Sequence, residues 1–333
     1  MLFSVIITCY NLDAYIAEAI DSVISQGYDS RLYEIVVVDD CSTDGSAEII
    51  KLYGNVRYLR PERNLGVLMA TVLGLENTTG ELVFFLDGDD VWGSSKLSAV
   101  VERFRVNPRL ALVTHDLNYI DGLGRVLDRK SRPEEVMAAI PASQEDTMIR
   151  NGILLHRDYV WLGSAYAIHR SLGRVEGFCS FAKKLPDPFN TYQDWPLAFW
   201  VASQPGVTLG YVPTKLFHYR LHGANHSGDA RDLQRARRNF LRAKNTVQAL
   251  LDIALLHQAG AIVIGVTDRK LAYCTYLTDL YNDRKSKAVT GFFQSIPYFA
   301  ISHLSVSKEL LRFCVITILG ATRATWLKSR FLK

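Results

Sequence analysis

The 333-residue sequence has little cysteine: Cys9, Cys41, Cys179, Cys274 and Cys314, with no CxxC pair among them. An odd, scattered set excludes a disulfide framework and a cysteine-rich zinc site, and it fits a reducing compartment. No run of about 18 apolar residues occurs, so no transmembrane helix is expected. The stretch MLFSVIITCYN has no basic region ahead of its apolar residues, and it reads as a strand rather than a signal peptide. Long blocks of like charge, internal repeats and low-complexity segments are missing too. With 48% hydrophobic residues, that excludes a disordered chain. The basic residues lack an interleaved aromatic module, which argues against nucleic acid as a partner.

What is present is an uneven charge. The net is only +4, but residues 281–333 hold nine Lys/Arg against Asp283 and Glu309, a net of +7. The rest of the chain is therefore mildly acidic, and a basic tail on an acidic body suggests an anionic surface as partner. Residues 228–244 form a second basic patch. The segment 305–333 mixes Leu, Ile, Phe and Trp with Lys and Arg. Its apolar centre, FCVITILG, is too short to span a bilayer, so a helix lying in the headgroup layer and an ordinary helical subdomain or oligomer contact are both open readings.

The first third alternates strand-like and helix-like segments. SVIIT (4–8), EIVVVDD (34–40), VRYL (56–59), ELVFFLD (81–87) and LALVTHDL (110–117) read as strands. Between them, the segments after residue 12, residue 42, residue 65 and residue 94 read as helices, with Ser42 or Asp44 and then Ser94 as caps. Such alternation predicts an α/β fold, a mostly parallel sheet with helices on both faces. Ligands then bind beyond the carboxyl ends of the strands. That rule picks out Thr8–Asn11, Asp39–Ser42 and Asp87–Asp90. Later segments predict a strand at 163–171, a short helix at 191–203, strand pieces over 207–222 and helices over 229–258 and 267–282.

The sequence FFLDGDD (84–90) places three carboxylates in four positions after an apolar strand. Like charges so close repel and raise one another's pKa. Either a divalent cation or plain exposure in a polar turn must offset that cost.

VIITCYN, VVVDDCSTDGS, FFLDGDD, YQDW and YRLHGANHS occur in this order. Together they resemble the family 2 glycosyltransferases of the GT-A fold over roughly residues 1–228. The resemblance implies a Rossmann-like domain at 1–228, with a donor half at 1–117 and an acceptor half at 118–228. A helical, basic region at 229–333 would follow. It also implies inverting transfer of a sugar from a nucleoside diphosphate, of UDP or dTDP type, to a glycan or lipid-linked glycan. Thr8, Tyr10, Asn11, Asp40, Asp87 and Arg220 would bind the nucleotide. Asp89 and His222 would bind Mn²⁺ or Mg²⁺, with Asp87 acting through water and His218 as the rival to His222. Asp194 would be the catalytic base. Its alternative role is a helix cap, which would lower its pKa. Gly163, Ser164 and Trp195 would lie on the acceptor side. From the cysteines the place of action is expected to be cytoplasmic, and the membrane reading of the basic tail would put it on the inner face of the cell membrane.

Two departures from the family pattern stand out. The family often carries G-x-S-x-A-R-N-x-G before the acidic strand; here the segment is GVLMATVLG (66–74), with Thr71 where Arg is usual. The base motif is usually Glu-Asp, whereas here it is Gln193-Asp194. The change at 71 removes a cation that could touch the donor phosphates, so either Arg220 or Arg63 compensates or the donor differs from the commonest ones. Two other functions compete. A sugar-1-phosphate nucleotidyltransferase needs a basic, Gly-rich loop after the first strand, and TCYNLDAY has no Lys or Arg. A non-catalytic sugar-nucleotide-binding protein would bind nucleotide without turnover.

Overall fold

All seven residues of the first strand, β1 (Phe3–Cys9), are buried, as expected for a central strand covered on both faces. The computed structural model describes residues 2–129, 141–156, 163–222, 232–299 and 306–331. The strands that follow are β2 (Tyr33–Asp39), β3 (Val56–Leu59), β4 (Leu82–Asp87), β5 (Val91–Trp92), β6 (Leu110–Asp121), β7 (Val126–Leu127), β8 (Tyr166–His169) and β9 (Thr208–Leu221). They form one sheet in the order β3-β2-β1-β4-β8-β6-β9-β5, with β7 paired to β6. The pairings β1–β2, β1–β4, β2–β3 and β6–β9 are parallel, and β8 runs antiparallel between β4 and β6.

Side chains alternate across a strand, and β1 shows where each set goes. Phe3, Val5, Ile7 and Cys9 join one core cluster with Ile16, Ile20 and Val23 of α1 (Ile16–Ile24). That cluster also takes in residues Leu97, Val100 and Phe104 of the helix Lys96–Val106. Ile6 faces the other way, against α3 (Val67–Glu76), where a Cβ on Gly74 would lie 2.5 Å from Ile6 Cγ2. Helices therefore cover both faces. The short α2 (Ser46–Ile50) precedes α3, and the Lys96–Val106 helix is α4.

The predicted strands and helices of the first third are all present, and the caps differ. Helix α2 starts after Gly45, and Asp44 accepts the Ser46 N–H at 3.0 Å while Ser42 Oγ serves Asn11 instead. Helix α4 starts after Ser95, one residue beyond the predicted Ser94, with no side-chain cap bond. The remaining helices are α5 (Glu145–Leu154), α6 (Val175–Ala182), α7 (Asp194–Ala202), α8 (Leu233–Leu256), α9 (Ala261–Tyr281), α10 (Lys285–Phe299) and α11 (Val306–Phe331). Helix α9 starts six residues before its predicted beginning, and α11 breaks at Gly320, where φ is 76°.

The chain divides into two compact units, residues 1–189 with 193–223, and residues 190–192 with 224–333. The boundary drawn from sequence at 228 lies outside the described residues. The second unit has its own core, built from Tyr276, Leu277, Leu280, Ala288, Phe292, Phe299, Ile316 and Ala321. Among the described residues no helix is long and apolar enough to cross a membrane.

Candidate active site

Parallel pairing sets the ends of β1, β2 and β4 side by side. Thr8 lies opposite Val38 on one flank and Asp87 on the other, and Cys9 lies opposite Asp39. The loops that leave these ends are tied together. Asn11 takes a positive φ of 55° and its Oδ1 accepts the Thr43 N–H at 2.8 Å. Its own N–H reaches Ser42 Oγ at 2.9 Å, and the Asp13 N–H reaches Asp44 Oδ2 at 3.0 Å. Tyr10 is left 39% exposed beside this seam, free to lie over a flat ligand.

Asp39 and Asp40 follow the second strand and do different work. Asp39 is fully buried and accepts from the Ser42 N–H, the Tyr58 hydroxyl and Arg60. Asp40 Oδ1 accepts the Leu65 N–H at 2.7 Å and Oδ2 the Gly66 N–H at 2.8 Å. Burial raises the Asp40 pKa against those two bonds. The carboxylate thus fixes the turn into α3, and the second lone pair on each oxygen is what remains for an N–H of a base. Gly66 must be glycine there: φ is +80°, and a Cβ would lie 2.8 Å from the Phe189 carbonyl oxygen.

The acidic corner is built in layers. Asp87 Oδ1 accepts the Thr8 hydroxyl at 3.0 Å and Gln193 Nε2 at 2.7 Å. The Asp87 N–H donates to Ser164 Oγ at 3.0 Å. Burial, joined by the Asp89 charge, pushes the Asp87 carboxyl up to about 6. Gly88 donates its N–H to the Thr8 carbonyl at 2.9 Å, and a Cβ there would sit 2.9 Å from that same oxygen. Asp89 Oδ2 lies 3.0 Å from His222 Nε2, and the Tyr15 ring packs on the imidazole with centroids 4.8 Å apart. Asp90 points inward, is 1% exposed and accepts the Arg220 N–H at 2.9 Å. Burial, then the charges of Asp89 and Asp87, hold its carboxyl well above the ordinary range.

Asp194 is the first residue of α7. Its Oδ1 accepts the Trp195 N–H at 3.0 Å, and its carbonyl accepts the Tyr166 hydroxyl at 3.2 Å. The expected lowering by a helix terminus is overridden. Burial, followed by the charge of Asp87, lifts Asp194 to about 7. That value suits a general base working near neutrality. Gln193 joins it to Asp87, so the acidic corner and the base candidate share one wall.

Arg220 is placed otherwise than expected. Its guanidinium is 1% exposed; Nε donates to the Asp89 carbonyl at 2.8 Å and one terminal nitrogen meets Glu18 at 2.5 Å. It holds the acidic loop from behind and is not presented to a diphosphate. Ser164 is likewise not on an open acceptor face: it is 1% exposed, with its hydroxyl under Asp87. Gly163 is buried next to Gln193, 3.4 Å from Nε2 to a would-be Cβ. Trp195 is partly exposed. Arg63 is exposed.

Lys96 and Tyr166 were not singled out from sequence. Lys96 is fully buried, donates to the Ser164 carbonyl, and lies over the Trp92 ring at 4.4 Å. Burial lowers its pKa strongly, with the nearby Asp90 opposing. A helical lysine in SSKLSAVV carries no local sign that it will be buried.

Could these residues hold a divalent ion? Among the described residues no group of three or more His, Cys, Asp and Glu is arranged to hold a metal alone. Asp89 and His222 supply two donors, which fits an ion that takes its other ligands from phosphate oxygens and water. His218, the rival, has a ring nitrogen buried without a hydrogen-bond partner and sits across from Val91 in the β5–β9 pair.

The ends of β1, β2 and β4, the acidic corner and Asp194 thus gather at one edge of the sheet. Residues 4–161 match the glycosyl transferase family 2. The chain is 32% identical over 241 residues to an uncharacterized glycosyltransferase of Nostoc, 68% of this chain and 66% of that one. It therefore spans just under two thirds of that relative's length. The solved structure of TarS 1–349 from Staphylococcus aureus with UDP-GlcNAc superposes with a TM-score of 0.62 at 17% identity, covering 98% of this chain and 91% of that one. The mannosyltransferase PcManGT of Pyrobaculum calidifontis, solved with GDP-Man and Mn²⁺, gives 0.55 at 18% identity over 99% and 87%. The fold is that of the GT-A glycosyltransferases. The chain belongs to glycosyl transferase family 2.

Proposed function

We propose that the protein is an inverting glycosyltransferase that moves a sugar from a nucleoside diphosphate to an acceptor hydroxyl, with Asp194 as base. The observation that carries this is the shared wall: Gln193 reaches Asp87 Oδ1 at 2.7 Å and is followed directly by Asp194. Tyr10 covers the base of the nucleotide, Asp40 accepts an N–H from its edge, and Thr8 and Asn11 shape the loop beneath. Asp194 takes the proton of the acceptor hydroxyl. The oxygen forms a bond to the anomeric carbon while the bond to the diphosphate breaks and the diphosphate leaves with the electron pair. One in-line displacement inverts the anomeric centre. Trp195 borders the acceptor.

Asp89 and His222 would hold Mn²⁺ or Mg²⁺, which when bound neutralises charge on the leaving diphosphate. Histidine as a ligand favours Mn²⁺ over Mg²⁺. TarS carries UDP-GlcNAc in its solved complex, so uridine nucleotides are the first donors to try. Thermal-shift measurements with UDP, dTDP and GDP, with and without Mn²⁺, test the reading. A uridine or thymidine nucleotide should stabilise the protein more with Mn²⁺ than without. No shift with any nucleotide sinks it, and binding without turnover would identify a non-catalytic binding protein.

The acceptor reading is a lipid-linked glycan at a cytoplasmic membrane face. Its support is the exposed apolar row on α11: Leu311 (65% exposed) and Ile318 (77%), with Leu310 (47%) beside it, in the basic tail. Val289, Phe293 and Ile296 of α10 are exposed at helical spacing as well. Basic residues add roughly 1 kcal/mol each at an anionic surface. In a flotation assay with phosphatidylglycerol vesicles, the full chain should float and a chain lacking 305–333 should not. Equal flotation removes the tail from the reading.

A further inference from the structure

The two departures from the family pattern touch one another. Thr71 stands where arginine is usual, and Gln193 where glutamate is usual. In the fold the Thr71 hydroxyl bonds to Gln193 Oε1, and the same hydroxyl lies 2.9 Å from the Val67 carbonyl. Both residues are buried, at 1% and 9% exposure. The other end of the Gln193 amide donates to Asp87 at 2.7 Å. Because a carboxylate can only accept, Asp87 fixes which end of the amide faces it. Gly163 leaves room for the arm: a Cβ there would come 3.4 Å from Nε2.

Charge makes the two positions depend on one another. A glutamate at 193 would press a carboxylate against Asp87, next to Asp194, with no cation at 71 to offset it. An arginine at 71 would be buried facing a neutral amide. Neither single substitution is balanced, whereas the pair is.

Resting on the glycosyltransferase reading above, the geometry points to Thr71 and Gln193 as a matched neutral pair in which Gln193 is the positioning residue: its amide, held by Thr71, steers Asp87 towards the donor without bringing a charge of its own.

The test is a double-mutant cycle of Thr71→Arg and Gln193→Glu. The assays are donor hydrolysis, with UDP-GlcNAc and Mn²⁺ as the first probe, and UDP affinity by calorimetry. Gln193→Glu should raise the donor KM about tenfold or more and weaken UDP to match, with kcat changed less. Adding Thr71→Arg should bring KM and UDP affinity back to within about threefold of wild type. A single variant with unchanged KM and UDP affinity, or a double variant whose losses simply add, overturns the inference. Should Gln193→Glu fail to fold, the double variant carries the test: it should fold and bind UDP, and a double as unstable as the single overturns the pairing. Wild type that binds UDP and turns over no donor sinks the transferase reading alone, and the cycle is then read on UDP affinity.

Discussion

Replacing Asp194 by asparagine should separate catalysis from binding and also reveal the cost of a half-buried carboxylate. The substitution keeps the shape and an oxygen for the Trp195 N–H, now 3.0 Å away. It removes the proton acceptor. General-base catalysis is worth about 10² to 10⁴ in rate, so transfer should fall about a thousandfold while UDP affinity holds. Stability should move the other way. Burial and the Asp87 charge carry Asp194 from 3.8 to about 7. At about 1.4 kcal/mol per unit that bounds the cost at about 4 kcal/mol, and partial exposure of the side chain cuts it to roughly 2 kcal/mol. The unfolded chain releases this proton near pH 4 and the folded chain near pH 7. Between those values the folded state binds more protons, so wild-type stability declines as pH rises, and above about 7 the cost is complete. Asparagine lacks that slope. Asp194→Asn should therefore melt with wild type below pH 4 and above it at pH 8, while wild-type turnover climbs through pH 7. Calorimetry at pH 5 and pH 8 with donor hydrolysis from pH 5 to 9 covers both claims. A variant that turns over like wild type, or melts no higher at pH 8, refutes the reasoning.

Other outcomes follow from the same geometry. His222→Ala should abolish the extra stabilisation by Mn²⁺ in the presence of UDP and leave the nucleotide's own shift in place; an unaltered Mn²⁺ increment removes His222 from the metal. Gly66→Ala forces a positive φ and a clash with the Phe189 carbonyl, and should cost about 1–3 kcal/mol in urea unfolding while weakening nucleotide binding. Lys96→Met fills the same aromatic surroundings but leaves the buried Ser164 carbonyl without its donor, and should cost about 2 kcal/mol. Wild-type stability in that variant would mean the lysine is dispensable beneath the acidic loop.

The candidate site was legible as far as strand ends are legible. Apolar runs such as EIVVVDD and ELVFFLD close on acidic residues, and a parallel sheet gathers such ends on one edge. Thr8 and Asp87 meet for that reason, and Gln193 joins them from the start of α7. Arg220 sits elsewhere than its sequence position suggests, because a cation beside a histidine motif gives no sign that a glutamate 202 residues away will claim it. The burial of Ser164 is hidden for a similar reason: GSAYAIH reads as a small-residue turn, and only β8's place between β4 and β6 tucks it under the acidic loop.

Periodicity and the polarity of strand ends were enough to determine the wound sheet and the helices after it, and to pick out the polar strand ends as candidates for chemistry, because burial and turn chemistry are local. Which of those residues face a ligand and which brace the loop from behind was decided by the tertiary structure. Asp89 meets His222 across 133 positions of sequence, and Gln193 meets Thr71 across 122. Partners that distant are selected by sheet order and helix packing, and the electrostatic character of Asp194 follows from them rather than from its own helix.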